Sequence, residues 1–168
     1  TIQFDVSAVV KCESATNIFS ANANDNLGGP LSYQWQKNNV SISGANSNSY
    51  TIPNIRISDA GIYRVLITNQ CGTSQSESKQ LTVRDLPVIT VQPVSTGVCV
   101  GGSLQLTSSV TDADTYRWLR DGNVVNSNSS QFSINAVAVS DAGNYVLEAS
   151  NACGTRTSNT ARASTPRP

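Results

Sequence analysis

The sequence contains no histidine and no methionine, and only 13% of its 168 residues carry a charge. Without histidine, nucleophilic catalysis of the Ser-His-Asp or Cys-His kind lacks its usual base. The eleven basic and eleven acidic residues cancel, so no net charge attracts nucleic acid or an anionic membrane. We therefore expect a protein that is not an enzyme, has no catalytic residues, uses no cofactor and binds no nucleic acid.

Long apolar runs and closely spaced cysteines are also missing. No apolar run approaches the roughly 20 residues that span a bilayer, so we expect no direct membrane insertion. The four cysteines form no Cys-x-x-Cys pair, which is the usual zinc spacing. Asp112 and Asp114 could offer oxygen ligands to calcium, but a solvated turn is the preferred interpretation, and no metal site is expected. Cysteines at matching positions in two repeats instead predict an oxidising compartment and a secreted, extracellular or cell-surface protein.

An internal repeat organises the chain. Asp59-Ala60-Gly61-Ile62-Tyr63 recurs 82 residues later as Asp141-Ala142-Gly143-Asn144-Tyr145. A tryptophan on a strand-like run precedes each copy (Trp35 and Trp118), and a Cys-Gly pair follows each tyrosine by eight residues (Cys71 and Cys153). Self-similarity over this distance predicts two domains of about 84 residues each, with boundaries at 1–85 and 86–168.

The repeated Asp/Gly/Tyr stretch resembles the tyrosine corner of immunoglobulin-like sandwiches, where a tyrosine hydroxyl returns to the backbone of a preceding turn. The chain as a whole resembles two tandem immunoglobulin-like domains of the I-set kind. The sequence pattern of its repeat is similar to that of modules in very large secreted proteins of Bacteroidetes-type bacteria. The resemblance implies an all-β fold of two Greek-key sandwiches joined by a short linker. It also implies a core around Trp35 and Trp118, and structural corners at Asp59, Gly61, Tyr63, Asp141, Gly143 and Tyr145.

The sequence departs from antibody-type domains in its cysteines. Val65 and Leu147 stand where those domains carry the strand F cysteine, so we expect no disulfide between the sheets. Equal spacing favours bridges within each domain, Cys12 with Cys71 and Cys99 with Cys153. In the implied topology, however, those partners lie at opposite ends of a domain. The preferred hypothesis is an interdomain bridge between Cys12 and Cys153, with Cys71 and Cys99 left for a neighbouring module or another molecule; bridges within domains remain the alternative.

The preferred function is that of a non-catalytic extracellular structural module, a repeating unit of a bacterial surface stalk, adhesin or fibre. Its expected partners are neighbouring immunoglobulin-like modules or further copies of itself. The alternative is a ligand-binding adhesin, or an accessory module of a secreted polysaccharide-degrading enzyme, with a glycan or a surface protein as partner. Nine of the ten aromatic residues fall in the core register and only Phe4 does not, which disfavours a sugar-stacking platform. Polar loop tips at 27–30 and 46–49 remain candidate binding loops.

Overall fold

The computed structural model describes residues 2–3, 9–24 and 29–165, and it divides the chain into two compact units, Thr1–Asp85 and Leu86–Pro168. Phe4 and most of the loop tip at 27–30 lie outside the described residues. The predicted all-β fold is confirmed, because the described part of each unit consists of strands and one short 3-10 helix.

The described part of the first unit has ten strands. They are β1 (Ile2–Gln3), β2 (Val9–Cys12), β3 (Asn17–Ser20), β4 (Asn22–Ala23), β5 (Ser32–Lys37), β6 (Val40–Ser41), β7 (Ser49–Ile52), β8 (Gly61–Asn69), β9 (Gly72–Gln75) and β10 (Lys79–Arg84), with a 3-10 helix at Ile57–Asp59. One sheet has the order β2-β10-β8-β5-β6, and β9 pairs with the end of β8. β2 runs parallel to β10, while β3 and β7 form an antiparallel pair.

The second unit repeats this arrangement. Its strands are β11 (Val88–Val91), β12 (Thr96–Gly97), β13 (Leu104–Thr107), β14 (Ser109–Thr111), β15 (Thr115–Arg120), β16 (Asn123–Ser127), β17 (Gln131–Ile134), β18 (Gly143–Asn151), β19 (Gly154–Thr157) and β20 (Ala161–Ser164), with a 3-10 helix at Val139–Asp141. The larger sheet has the order β12-β20-β18-β15-β16, and β13 pairs with β17. β16 is longer than its counterpart β6, which changes the surroundings of the nearby tryptophan.

Each core is built from alternating side chains, because successive residues of a strand point to opposite faces of a sheet. Along β8 the buried residues are Tyr63, Val65 and Ile67, and along β18 they are Tyr145, Leu147 and Ala149. Trp35 and Trp118 are 0% exposed. The aromatic residues are less uniformly buried than the core register predicted. Tyr33, Tyr50 and Tyr116 only pack against the edge of the core, because a tyrosine can bury its ring while its hydroxyl stays in water.

Candidate functional site

The repeated Asp/Gly/Tyr stretches form two tyrosine corners of equal geometry. The Tyr63 hydroxyl donates a hydrogen bond to the Asp59 carbonyl oxygen, and the Tyr145 hydroxyl donates to the Asp141 carbonyl oxygen, both at 2.7 Å. The 3-10 helix holds its last carbonyl beside the tyrosine that comes four residues later. Both tyrosines are almost fully buried, so this bond satisfies a hydroxyl that water cannot reach.

The aspartates of the corners close the turn that precedes each tyrosine. The Asp59 carboxylate accepts a hydrogen bond from the Arg56 backbone N–H, and the Asp141 carboxylate accepts one from the Ala138 N–H, both at 2.9 Å. Asp141 also pairs with the Arg120 guanidinium at 3.0 Å. Both carboxylates are therefore engaged in hydrogen bonds that hold the turn.

Each corner glycine leaves room for a side chain from the neighbouring hairpin. Asp121 accepts a hydrogen bond from the Asn144 backbone N–H, and Asn38 accepts the equivalent bond from the Ile62 N–H. A Cβ placed on Gly143 would come within 2.5 Å of the Asp121 carboxylate, a distance that real Cβ atoms do not show. Sequence reasoning missed these hairpin acceptors, although both follow the tryptophan by three residues.

Burial, and to a smaller extent the nearby Asp59 and Tyr50, raise the pKa of Tyr63 to about 12. In the unfolded chain the phenol ionises near pH 10. Because the folded-state pKa is the higher one, the corner's stabilisation is complete below pH 10 and is lost as the pH rises through 12.

We therefore expect the first domain to lose up to about 2 to 3 kcal/mol of unfolding free energy between pH 9 and pH 12, since one pKa unit corresponds to about 1.4 kcal/mol. Urea unfolding at a series of alkaline pH values measures this loss. The variant Tyr63→Phe carries no ionisable group at the corner, so its stability should depend less on pH over this range. An equally steep decline in that variant would contradict the assignment.

A serine in each unit bonds to the backbone at the position where antibody-type domains carry a disulfide. Val65 and Leu147 are 0% exposed. Their backbone N–H groups donate to the hydroxyls of Ser76 (3.0 Å) and Ser158 (2.9 Å). The backbone N–H groups of the same serines donate to the Val65 and Leu147 carbonyls. Sequence reasoning missed these serines, although they are 82 residues apart, the same interval as the corners.

The two tryptophans differ in the partner of the indole N–H. In the first unit, Trp35 Nε1 donates to the Ser47 carbonyl oxygen at 2.9 Å. In the second unit, Trp118 Nε1 is buried and finds no partner among the described residues. The lengths of β6 and β16 explain the difference. β6 ends at Ser41, and the segment that follows brings the Ser47 carbonyl to the indole of Trp35. β16 instead continues to pair with β15 as far as Ser127.

Cys12 and Cys99 occupy equivalent positions near the end of the strand that runs parallel to the last strand of each unit. Cys12 is the last residue of β2, and Cys99 follows β12 by two residues. Cys12 is the neighbour of Arg84 in the β2–β10 pairing. The carbonyls of the two cysteines accept hydrogen bonds from Ala15 N–H (3.2 Å) and Gly102 N–H (2.9 Å), so the same bend follows both. We call the segments 12–15 and 99–102 the lower bends.

Cys71 and Cys153 occupy equivalent turns between β8 and β9 and between β18 and β19. The Cys71 N–H donates to the Asn69 side-chain oxygen at 2.9 Å, and the Cys153 N–H donates to that of Asn151 at 2.7 Å. The glycine after each cysteine has nearly the same backbone angle, with φ of +138° at Gly72 and +137° at Gly154. We call the segments 69–72 and 151–154 the upper turns.

Within each unit the lower bend and the upper turn lie at opposite ends of one strand. Leu81 faces Gly61 at the start of β8, so Cys12, beside Arg84, lies beyond that start, and Cys71 lies beyond the other end. Nine residues at about 3.3 Å each separate the two cysteines by about 30 Å, whereas a disulfide tolerates about 4.4 to 6.8 Å between Cα atoms. This geometry disfavours the within-domain pairing.

The cysteines also differ in chemical state. Cys12 and Cys153 are disulfide-bonded. Cys71 and Cys99 are free thiols, and both are exposed. Each class of position, lower bend and upper turn, therefore has one bonded member and one free member.

Other kinds of site find no support in the described part of the chain. Residues 2–3, 9–24 and 29–165 hold no group of three or more Cys, Asp or Glu side chains placed to bind a metal ion. The backbone at Asp112 and Asp114 is instead tied to β18, because the Asp112 carbonyl accepts a bond from Asn151 and the Asp114 N–H donates to Ser150. In the same ranges, no helix has the length and apolar character needed to cross a membrane.

Comparison with known proteins agrees with this geometry. A family model described as "Immunoglobulin domain" matches residues 87–151. An I-band fragment of titin shares the fold with a TM-score of 0.79 and 20% identity, covering 99% of this chain and 66% of the fragment. Both units have the immunoglobulin-like fold. Extracellular domains 3–5 of Drosophila OTK give a TM-score of 0.67 at 16% identity, over 99% of this chain and 62% of that one.

A similar sequence is leucine-rich repeats and immunoglobulin-like domains protein 3 of Mus musculus. It is 22% identical over 95% of this chain, but the chain covers only 17% of that protein. The two immunoglobulin-like domains thus correspond to less than a fifth of this much longer relative.

Proposed function

We propose that this chain is a non-catalytic structural module of an extracellular or cell-surface protein. It serves as a repeating unit of a stalk, adhesin or fibre, like those of secreted proteins of Bacteroidetes-type bacteria. In this proposal a disulfide between Cys12 and Cys153 fastens the two domains across the linker. The observation that carries the proposal is that Cys12 lies beside Arg84, just before the linker, and that Leu86, just after it, lies against Gly154, which follows Cys153.

On the first side, Cys12 lies beside the last strand of its domain. Arg84 is its partner in the β2–β10 register, and the backbone N–H of Glu13 donates to the Arg84 carbonyl at 2.9 Å. Neighbouring strands lie about 4.8 Å apart, so Cys12 is close to the point where the chain leaves the first domain.

On the second side, Leu86 lies against the upper turn of its own domain. A Cβ placed on Gly154 would come within 2.8 Å of Leu86 Cδ2, and Gly154 directly follows Cys153. Only Asp85 separates Arg84 from Leu86, and two residues span at most about 7 Å. In this proposal Cys12 and Cys153 lie on opposite sides of the same short linker, and the linker is short enough to let the two Cα atoms approach the separation of about 4.4 to 6.8 Å that a disulfide needs.

A bridge of this kind suits a load-bearing module. It gives the two domains a second covalent connection beside the linker, so bending at the linker is restrained. The low fraction of charged residues, 13%, and the absence of histidine support a structural rather than a catalytic role. The matching domains of Drosophila OTK are extracellular in that protein, which supports an extracellular location here.

Tryptic mapping without reductant tests the bridge directly. Cleavage after lysine and arginine places each cysteine in a separate peptide, namely 12–37, 65–79, 85–117 and 121–156. We expect 12–37 linked to 121–156. A link between 12–37 and 65–79 would contradict the proposal, because it would mean a bridge within the first domain.

Counting thiols in the unfolded, unreduced chain provides a matched control. The proposed state leaves Cys71 and Cys99 free, so the count is two. Cys12→Ser should raise the count to three by releasing Cys153, whereas Cys71→Ser should lower it to one. A Cys12→Ser variant that still shows two thiols would mean that Cys153 has another partner.

A glycan array and a cell-adhesion assay with the intact pair of domains test the structural role against a binding role. We expect no specific retention on either. Saturable binding to a defined glycan or surface protein would replace the purely structural function with that of an adhesin or accessory module.

A further inference from the structure

The four cysteines consist of two complementary pairs, one bonded and one free. Each pair has one lower-bend cysteine and one upper-turn cysteine: Cys12 with Cys153, and Cys99 with Cys71. The backbone presents both members of a class through equivalent hydrogen bonds, and the two upper turns also share nearly the same glycine φ angle. The free thiols therefore carry the two geometries that the proposed bridge uses.

The surroundings of the two upper turns provide an independent observation. At Gly154, the side chain of Leu86 occupies the space into which a Cβ would project, at 2.8 Å. At the equivalent Gly72, no atom of the described residues lies within 4 Å of the same point. Leu86 covers this point on the upper turn of the second domain, whereas none of the described residues covers the equivalent point in the first domain, where Cys71 is exposed.

We propose that Cys71 of one copy of this chain forms a disulfide with Cys99 of a second copy, so that copies join end to end. This inference rests on the proposed function, because it assumes that the Cys12–Cys153 bridge shows how a lower bend meets an upper turn. A second copy is the fitting partner because it offers a Cys99 lower bend to an open Cys71 turn. The two surfaces differ, so each added copy leaves one free end of each kind and the assembly grows as an open chain.

Bond formation needs a disulfide oxidant, for which oxidised glutathione serves in the test. The Cys71 thiolate attacks one sulfur of the oxidant, which releases one glutathione thiolate and leaves a mixed disulfide. The Cys99 thiolate of the second copy then attacks the Cys71 sulfur and releases the second glutathione. Two protein thiols lose two protons and two electrons in total, and the oxidant becomes two thiols. The exposure of both cysteines gives the reagents access.

Mixing two single variants tests the proposal. Cys71→Ser retains only the lower-bend thiol, and Cys99→Ser retains only the upper-turn thiol. With oxidised glutathione, the unmodified chain should give a ladder on non-reducing electrophoresis that collapses on reduction. Each variant alone should remain monomeric, and their equimolar mixture should form dimers and nothing larger. Peptide 65–79 should be linked to 85–117 in that dimer.

Three outcomes would overturn the proposal. Either variant alone could dimerise as fully as the mixture, which would mean unselective thiol coupling. The mixture could remain monomeric. In the unmodified chain, peptides 65–79 and 85–117 could be linked within the monomer band, which would mean a bond inside one molecule. The same digests report the 12–37 to 121–156 link separately, so a failure of the proposed function is distinguished from a failure of end-to-end joining.

Discussion

Replacing Trp35 or Trp118 with alanine should destabilise the domain that carries it by about 3 to 5 kcal/mol. Both side chains are 0% exposed, and each packs on a phenylalanine of its own core, with ring centroids 6.0 Å apart for Trp35 and Phe19 and 6.1 Å apart for Trp118 and Phe132. Alanine removes the buried apolar surface of the indole and leaves a cavity. The strands cannot move in to fill it, because backbone hydrogen bonds to neighbouring strands hold them in place. Urea unfolding followed by far-UV circular dichroism measures the loss.

The single tryptophan of each domain makes the control simple. In Trp35→Ala, the fluorescence of Trp118 reports only the second domain, and the converse holds for Trp118→Ala. The domain that keeps its tryptophan should unfold as in the unmodified chain. Val40→Ala, at a side chain that is 70% exposed, should change stability by no more than about 0.5 kcal/mol. A tryptophan that can be replaced at that low cost would contradict its place in the core.

Phenylalanine at the two positions separates packing from hydrogen bonding. Trp35→Phe removes the bond to the Ser47 carbonyl, whereas Trp118→Phe removes a buried N–H that has no partner among the described residues. An unsatisfied buried donor costs about 1 to 3 kcal/mol, so the substitution of Trp118 should be milder than that of Trp35 by a similar amount. Equal losses would mean that the Trp118 N–H is satisfied in solution.

Replacing a corner tyrosine with phenylalanine should cost about 1 to 3 kcal/mol in its domain. Tyr63→Phe leaves the Asp59 carbonyl without the donor that now lies 2.7 Å away, and Tyr145→Phe does the same to Asp141. The ring and its packing are unchanged, so the loss measures the hydroxyl. Urea unfolding near pH 7 is the measurement, since the tyrosines are protonated there.

Half-buried tyrosines supply the matched controls. Tyr33→Phe in the first domain and Tyr116→Phe in the second remove a hydroxyl from a side chain at the edge of the core. We expect these variants to lose less than the corner variants, because water can satisfy what remains. A loss at Tyr33 equal to that at Tyr63 would show that the corner bond has no special weight.

Much of the architecture could be predicted from local patterns. Alternating burial in β8 and β18 follows directly from alternating apolar residues, because the side chains of a strand point to opposite faces. The interval of 82 residues between Tyr63 and Tyr145 predicted two similar domains. The serines that hydrogen-bond to the backbone of Val65 and Leu147 were not predicted, because a serine in a polar segment looks the same whether it bonds to the backbone or to water.

The sequence by itself determined the all-β class, the repeated corner and the tryptophan cores, since each depends on residues close together in the chain or on a period of two. Only the tertiary structure decided which polar groups of the core are satisfied. The indole N–H of Trp35 has a partner, whereas that of Trp118 has none among the described residues. The difference arises from where the chain runs after β6 and after β16. The states of the cysteines depend likewise on three-dimensional placement, because a disulfide needs two sulfurs to meet in space. Equal spacing along the chain favours a bond between Cys12 and Cys71, but the length of β8 places these two residues about 30 Å apart.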